Sequence, residues 1–168
     1  MTIILVSGTP GTGKTSIAKK IARHYKYKYV HIGDNDEYII KEEGIKIIDL
    51  DKMNNWLNKK EENLVVDSHL SHYHPKAKAC IITRCDPSEL KNRLKKRGYS
   101  EVKIKTNLEA EAMDLILQEA LAIGHKVYEV NTTNRTADSC TKEVIKAIDT
   151  KTVNYGKNDF SHHLKKLK

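Results

Sequence analysis

Gly8-Thr9-Pro10-Gly11-Thr12-Gly13-Lys14-Thr15 follows the apolar run Thr2-Ile3-Ile4-Leu5-Val6-Ser7 and leads straight into an amphipathic stretch ending near His24. A strand delivers the chain, glycines let the backbone curl, and a helix N-terminus adds its partial positive charge, so the stretch reads as a phosphate-binding loop. In that chemistry Gly13 lets the backbone approach the anion and Lys14 reaches the β- and γ-phosphates as a point charge. The Thr15 hydroxyl sits on Mg²⁺, and Ser16 adds a phosphate contact. The expectation is a nucleoside triphosphate, ATP or GTP, with Mg²⁺.

Outward from the loop, Ile17, Ala18, Ile21 and Ala22 repeat at helical spacing while Lys19, Lys20 and Arg23 take the other face, as in a helix that covers a sheet. Tyr27 to Ile32 reads as a second strand. Asp34 with Glu37 three residues on has the spacing of a helix-capping box, while Asp34-x-Asp36 resembles the carboxylate pair with which shikimate-kinase-like enzymes hold an acceptor hydroxyl; both readings stay open. Residues 39 to 62 read as a small insertion with a helix carrying Leu50, Met53, Trp56 and Leu57. Acceptors collect against such insertions because ligands of open α/β sheets bind at the carboxyl ends of the strands.

Leu64-Val65-Val66-Asp67 is a compact apolar strand ending in a carboxylate, where a Mg²⁺-supporting group belongs opposite Thr15, although a turn-initiating Asp would look the same. His69 lies two residues further on, in place to meet phosphate or a nucleophilic water. His72 and His74 are expected in a solvated loop, since no Cys or carboxylate completes a metal set at usual spacing. Asp86-Pro87-Ser88-Glu89 starts a helix whose Arg93 and Arg97, four residues apart, can converge on one anion. The break Gly98-Tyr99-Ser100 and a long helix from about Glu101 to Ala122 complete what looks like a short closing lid, with an ordinary helical hairpin as the plainer reading. Lys126 to Val130 is the last strand, and Asn131-Thr132-Thr133-Asn134 stands where backbone contacts to a base are made. A helix with Cys140, Val144, Ile145 and Ile148 follows.

The 168 residues suit one domain, 1–150, with an acceptor-binding insertion at about 33–63 and a lid at about 95–107. No apolar run approaches the length of a membrane span and no leader is visible, so a cytoplasmic protein without membrane contact is expected. Cys80, Cys85 and Cys140 read as reduced packing residues. Net charge is +8, and residues 151–168 contribute five Lys against one Asp, half of the excess. This segment reads as a flexible basic tail. It either adds salt-sensitive contacts to RNA or is merely solvated, with Phe160 to Leu167 able to order on a partner.

Taken together, Gly-Thr-Pro-Gly-Thr-Gly-Lys-Thr at 8–15, Val-Asp-x-His at 66–69 and Arg-Gly-Tyr-Ser-Glu at 97–101, with Asn107 and Glu111, resemble the small adenylate-kinase-like NTPases of archaea and eukaryotic nuclei. That family is linked to late maturation of the small ribosomal subunit, and the resemblance spans about residues 2 to 148. It implies a P-loop α/β fold of the nucleoside-monophosphate-kinase type with a five-stranded parallel sheet. It further implies phosphoryl transfer from ATP to AMP or a related nucleoside monophosphate, ATPase activity beside it, and a platform protein of the small ribosomal subunit as partner. By matching position, Gly11, Gly13, Lys14, Thr15 and Ser16 bind the donor phosphates, Asp67 supports Mg²⁺, His69 serves catalysis or coupling, and Arg93 and Arg97 match lid arginines. One departure is plain: adenylate kinases clamp the acceptor phosphate with Arg after the second strand, but no Arg stands between Arg23 and Arg84. Lys41 or Lys46 would lack the planar fork. A nucleotide-driven assembly switch is therefore a rival to the kinase, and a small-metabolite kinase rests on Asp34-x-Asp36 alone.

Overall fold

Successive side chains of a strand point to opposite faces, and in β1 (Ile3–Ser7) both faces are apolar. Ile3 and Leu5 join one buried cluster with Leu64, Val66, Cys80 and Ile82, while Ile4 and Val6 join another with Ile17, Ile21, Val65 and Ile81. A strand buried on both sides belongs in the middle of a parallel sheet covered by helices. The computed structural model, which describes residues 1–42 and 45–167, has this architecture. After β1 come α1 (Lys14–Tyr25), β2 (Lys28–His31), a hairpin of β3 (Ile39–Glu42) and β4 (Ile45–Ile48), α2 (Leu50–Asn58) and β5 (Leu64–Asp67). Then follow β6 (Ala79–Arg84), α3 (Pro87–Lys96), α4 (Glu101–Ala112), α5 (Leu115–Ile123), β7 (Val127–Asn131), α6 (Ala137–Asp149) and α7 (Leu164–Leu167).

The parallel sheet runs β2-β5-β1-β6-β7. Because the chain leaves β1 first toward β5 and β2 and later toward β6 and β7, the strand order reverses at the carboxyl end of β1, the position at which open α/β sheets form a ligand crevice. Register brings Val6 beside Asp67 and Asp67 beside His31, so three strand ends meet there.

Three sequence expectations are corrected. The helix anticipated from Glu101 to Ala122 is two helices, broken where Asp114 takes φ 56°, because its carboxylate is drawn to Arg84. Asn35, not Asp34, caps the turn after β2, its side-chain oxygen accepting from the Glu37 N–H. The insertion has the expected helix, and its first part, to which the sequence assigns no element, is a β-hairpin. Most consequential, the segment beyond Thr150 is not a free tail among the described residues. β7 is an edge strand, and Asn154 satisfies its outer groups by donating to the Val127 carbonyl at 3.1 Å and accepting from the Glu129 N–H at 2.8 Å. Phe160, 7% exposed, then lies over the Arg84 guanidinium at 5.3 Å. The side chain of Lys41, and Lys168, lie outside the described residues.

The α3–α4 pair has its own small core of Cys85, Leu90, Leu94, Ile104 and Leu108, with Tyr99 against it. No helix among the described residues is long and apolar enough to cross a membrane. All three cysteines are buried and free.

Candidate phosphate and metal site

The loop between β1 and α1 is built by close packing as much as by glycine freedom. A Cβ on Gly8 would stand 2.4 Å from the Thr83 hydroxyl and 2.5 Å from its carbonyl oxygen, so only hydrogen fits where the chain leaves β1. Gly13 holds φ 93° at the start of α1 and offers no capping side chain, which leaves the helix N-terminus open to an external anion. The Thr12 hydroxyl donates to the Thr9 carbonyl and pairs with the Thr83 hydroxyl, and Lys14 folds back so that Nζ meets the same Thr9 carbonyl at 3.0 Å. Burial pushes the Lys14 ammonium down to about 8, with Asp67 and Glu111 opposing the shift and Arg97 adding to it. An ammonium this poorly solvated in the free protein has much to gain from a phosphate.

Asp67 is the centre of the site. Its Oδ2 accepts from Thr15 Oγ1 at 2.7 Å and Tyr29 OH at 3.0 Å, and pairs with His31 Nδ1 at 3.3 Å. Its Oδ1 is buried and has no partner. Burial alone would raise its pKa, but the hydrogen bonds from His31 and Thr15, the Lys14 charge and the Tyr29 hydroxyl carry it below the ordinary carboxylate value. The carboxylate is thus ionised, wholly buried, and half satisfied by the protein. An orphaned anionic oxygen beside a threonine hydroxyl fits a hard divalent cation.

Two histidines flank it. His31, at the end of β2, has its pKa raised chiefly by the hydrogen bond to Asp67. His69 stands at the mouth, and partial desolvation of its ring, followed by the charges of Lys14 and His31, lowers its pKa. Sequence reasoning missed His31. The signal that could have found it is positional, since the last residue of the strand neighbouring β5 must stand beside the carboxylate ending β5.

Gly11, Gly13, Lys14, Thr15, Asp67 and His69 therefore gather at one crevice, and Ser16 is exposed in the first turn of α1. Arg97 is exposed at the end of α3, close enough for its charge to act on Lys14. Arg93 is not free to join it on an anion. Its guanidinium donates to Glu89 Oε1 at 2.9 and 2.5 Å, to the Gly11 carbonyl at 3.4 Å, and to the Thr132 hydroxyl and carbonyl at 3.0 and 2.8 Å. Arg93 braces the phosphate loop against the loop after β7. That loop is itself committed, with Thr132 bonded to the Thr12 and Arg84 carbonyls and the Asn134 N–H to Glu89.

His72 and His74 are fully buried, against expectation. His72 joins Ser7 Oγ at 2.9 Å to Glu119 at 3.0 Å, and His74 Nδ1 meets Asn54 Oδ1 at 3.0 Å. They tie the segment after β5 to α5 and α2, and what reads locally as a polar loop is packed beneath the helices.

Comparison with known proteins agrees with this geometry. Residues 4–114 match the AAA domain family. A putative adenylate kinase of Methanosarcina acetivorans is 40% identical, with 88% of this chain and 86% of that one covered. A putative adenylate kinase of Pyrococcus furiosus is also 40% identical, covering 88% and 84%. Among solved structures, a deoxyadenosine kinase from M. mycoides with dCMP and dCDP bound superposes with TM-score 0.61 at 15% identity, over 90% of this chain and all of that one. The YorR protein of Bacillus subtilis, in complex with phosphorylated GDP, gives 0.62 at 16%, over 92% and 100%. At such identities the structural likeness speaks for the fold alone.

Proposed function

Because the chain belongs to the AAA domain family and to the family of these putative adenylate kinases, we propose that it transfers the γ-phosphoryl group of ATP to AMP or a related nucleoside monophosphate, with slower ATP hydrolysis beside it. The observation that carries the reading is the Thr15–Asp67 pair beneath the phosphate loop, with the second Asp67 oxygen buried and unpartnered.

The chemistry asks for positioning and neutralisation of charge rather than a covalent intermediate. Asp67 and Thr15 would hold Mg²⁺, which when bound neutralises phosphate charge. Gly11, Gly13 and the first turn of α1, with Ser16, present backbone N–H groups and the helix dipole to the donor phosphates. Lys14 exchanges the Thr9 carbonyl for the β- and γ-phosphate oxygens. Arg97, at the base of the lid, adds positive charge as the γ-phosphoryl moves in line to its acceptor. His31 ends β2 beside the start of the insertion, against which the acceptor would lie, and His69 would serve catalysis or coupling at the mouth of the site. Arg93 acts as a positioning residue for the loop.

The test is purified protein with ATP and Mg²⁺, following ADP and free phosphate separately with and without AMP. The expected result is ADP formation that depends on AMP and outruns phosphate release, and a loss of at least about 100-fold in kcat/KM for Lys14→Ala. Phosphate release indifferent to AMP would refute the kinase assignment.

One observation favours a second reading. The insertion carries no Arg, and the Lys46 ammonium is bonded to the Gly33 carbonyl at 3.1 Å, so the acceptor phosphate has no guanidinium clamp there. A nucleotide-driven switch in small-subunit maturation, acting on a platform ribosomal protein, would need none. Contact of the basic C-terminal segment with ribosomal RNA would then involve the exposed Lys151, Lys157 and Lys165. In that case phosphate release should rise when the ribosomal partner is added, and replacing these lysines by Gln should flatten the salt dependence of RNA binding.

A further inference from the structure

The docked C-terminal segment brings two histidines to a carboxylate that the phosphate site does not use. Asp86 starts α3, and its position is fixed twice: its N–H donates to Thr133 Oγ1 and its Oδ1 accepts from the Ser88 N–H, each at 2.8 Å. That leaves Oδ2 turned to the C-terminal segment, where His163 Nε2 lies 3.2 Å away. The His162 ring stacks beside that of His163, centroids 4.2 Å apart and planes inclined by 43°. One ligand atom from each of the three residues lies within 4.8 Å of the others.

We propose that Asp86, His162 and His163 form a binding site for a borderline transition-metal ion of the Zn²⁺ class, which clasps the C-terminal segment to the start of α3. Two ligand atoms each about 2.1 Å from one metal ion stand roughly 3.0–3.4 Å apart in octahedral or tetrahedral geometry, and the His163–Asp86 separation of 3.2 Å already has that value. His162 closes the set by a side-chain rotation that its exposure allows. Two imidazoles with one carboxylate suit Zn²⁺, Ni²⁺, Co²⁺ or Cu²⁺ rather than the all-oxygen shell of Mg²⁺ or Ca²⁺, so this site is chemically distinct from the Thr15–Asp67 pair. Three protein ligands leave a coordination position for water. The backbone between the anchors is already ordered, since Phe160 is fixed on Arg84 and the Ser161 N–H donates to Asp159 Oδ1 at 2.9 Å. Little ordering is left for the ion to impose.

The experiment titrates the full chain, stripped with chelator and dialysed, with ZnCl₂ by calorimetry, and with CoCl₂ while visible absorption is recorded. Expected are one equivalent bound with micromolar or tighter Kd, a d–d absorption band for Co²⁺, and slower proteolytic cleavage within residues 151–168 when Zn²⁺ is present. His162→Ala and Asp86→Asn should each weaken Zn²⁺ binding by about tenfold or more, the loss expected when one of three ligands is removed, and should abolish the protection from proteolysis. Asn at position 86 retains a helix-capping oxygen, and His162 is exposed, so both variants should fold. An ion taken up instead beside His31 and His69 would keep its affinity in both variants, and that result overturns the proposal, as does binding weaker than about 100 µM in the unaltered chain.

Discussion

Thr9 of the phosphate loop donates a hydrogen bond of 2.5 Å to Glu111 of α4, across 102 residues of sequence. Glu111 Oε1 in turn accepts from Arg84 Nε at 2.9 Å and the Cys85 N–H at 3.0 Å. Arg84 continues to Asp114 and to Glu129, and Glu129 Oε2 accepts from the Gly156 N–H. The phosphate loop, the α4–α5 junction, the edge strand and the C-terminal segment therefore share one buried charge network centred on a guanidinium 2% exposed.

Removing one member of such a network strands the others. Glu111→Ala should cost about 3–5 kcal/mol, the range for breaking a buried ion pair by deleting one partner, measured by denaturant unfolding. It should also weaken ATP binding, because Thr9 loses its anchor. A variant as stable as the parent would show that Arg84 is satisfied without Glu111.

Gly8 tests whether the loop is held by packing or only by backbone freedom. A methyl group there meets the Thr83 side chain and backbone at 2.4 and 2.5 Å, at φ +145°. Backbone cannot yield as a flexible side chain does. Gly8→Ala should lower stability by about 1–3 kcal/mol, as overpacking does, and reduce nucleotide affinity together with it. If thermal unfolding moves by less than a degree, the contact with Thr83 is not the constraint.

Much of this site is legible in the sequence because it is local. The glycines, Lys14 and Thr15 sit in one octapeptide, and Asp67 ends a strand that announces itself by three consecutive apolar residues. The parallel sheet follows from the same alternation of strand and helix. What escapes is long-range. Arg93 looks like a ligand for an anion until Thr132, from the other end of the chain, takes its donors. His72 and His74 look solvated until α2 and α5 cover them. The charge network explains the kink at Asp114, since Arg84 is 30 residues away and no window of sequence joins the two. The segment after Thr150 has the composition of a tail; its order comes from the unpaired edge of β7 and from one aromatic ring.

His74 predicts how stability responds to acid. Burial, then the neighbouring His125 and Lys76 charges, push its imidazole down to about 4, against an ordinary value of 6.5. Between those two values the unfolded chain binds the proton and the folded chain does not. Stability is therefore intact above pH 6.5 and falls as pH is lowered toward 4, by up to about 3 kcal/mol, after which this group contributes no further change. The difference between parent and His74→Asn in unfolding free energy, followed from pH 7 to pH 4, isolates the effect from the carboxylates. Parallel curves for the two proteins would rule it out.

Phe160 decides whether the C-terminal segment is part of the fold. Its ring covers the Arg84 guanidinium at 5.3 Å, and without it the centre of the buried network opens to water on that side. Two losses then combine, an aromatic side chain no longer buried and a cation–π contact no longer shielded. Phe160→Ala should cost about 3 kcal/mol and release the segment to protease, while Phe160→Leu should restore most of the burial but not the contact with the cation. The order of the three proteins in thermal unfolding separates these terms: Leu close to Phe assigns the stabilisation to apolar burial, and Leu close to Ala assigns it to the ring over Arg84. Equal stability for all three would mean that the segment beyond Thr150 rests on the domain without supporting it.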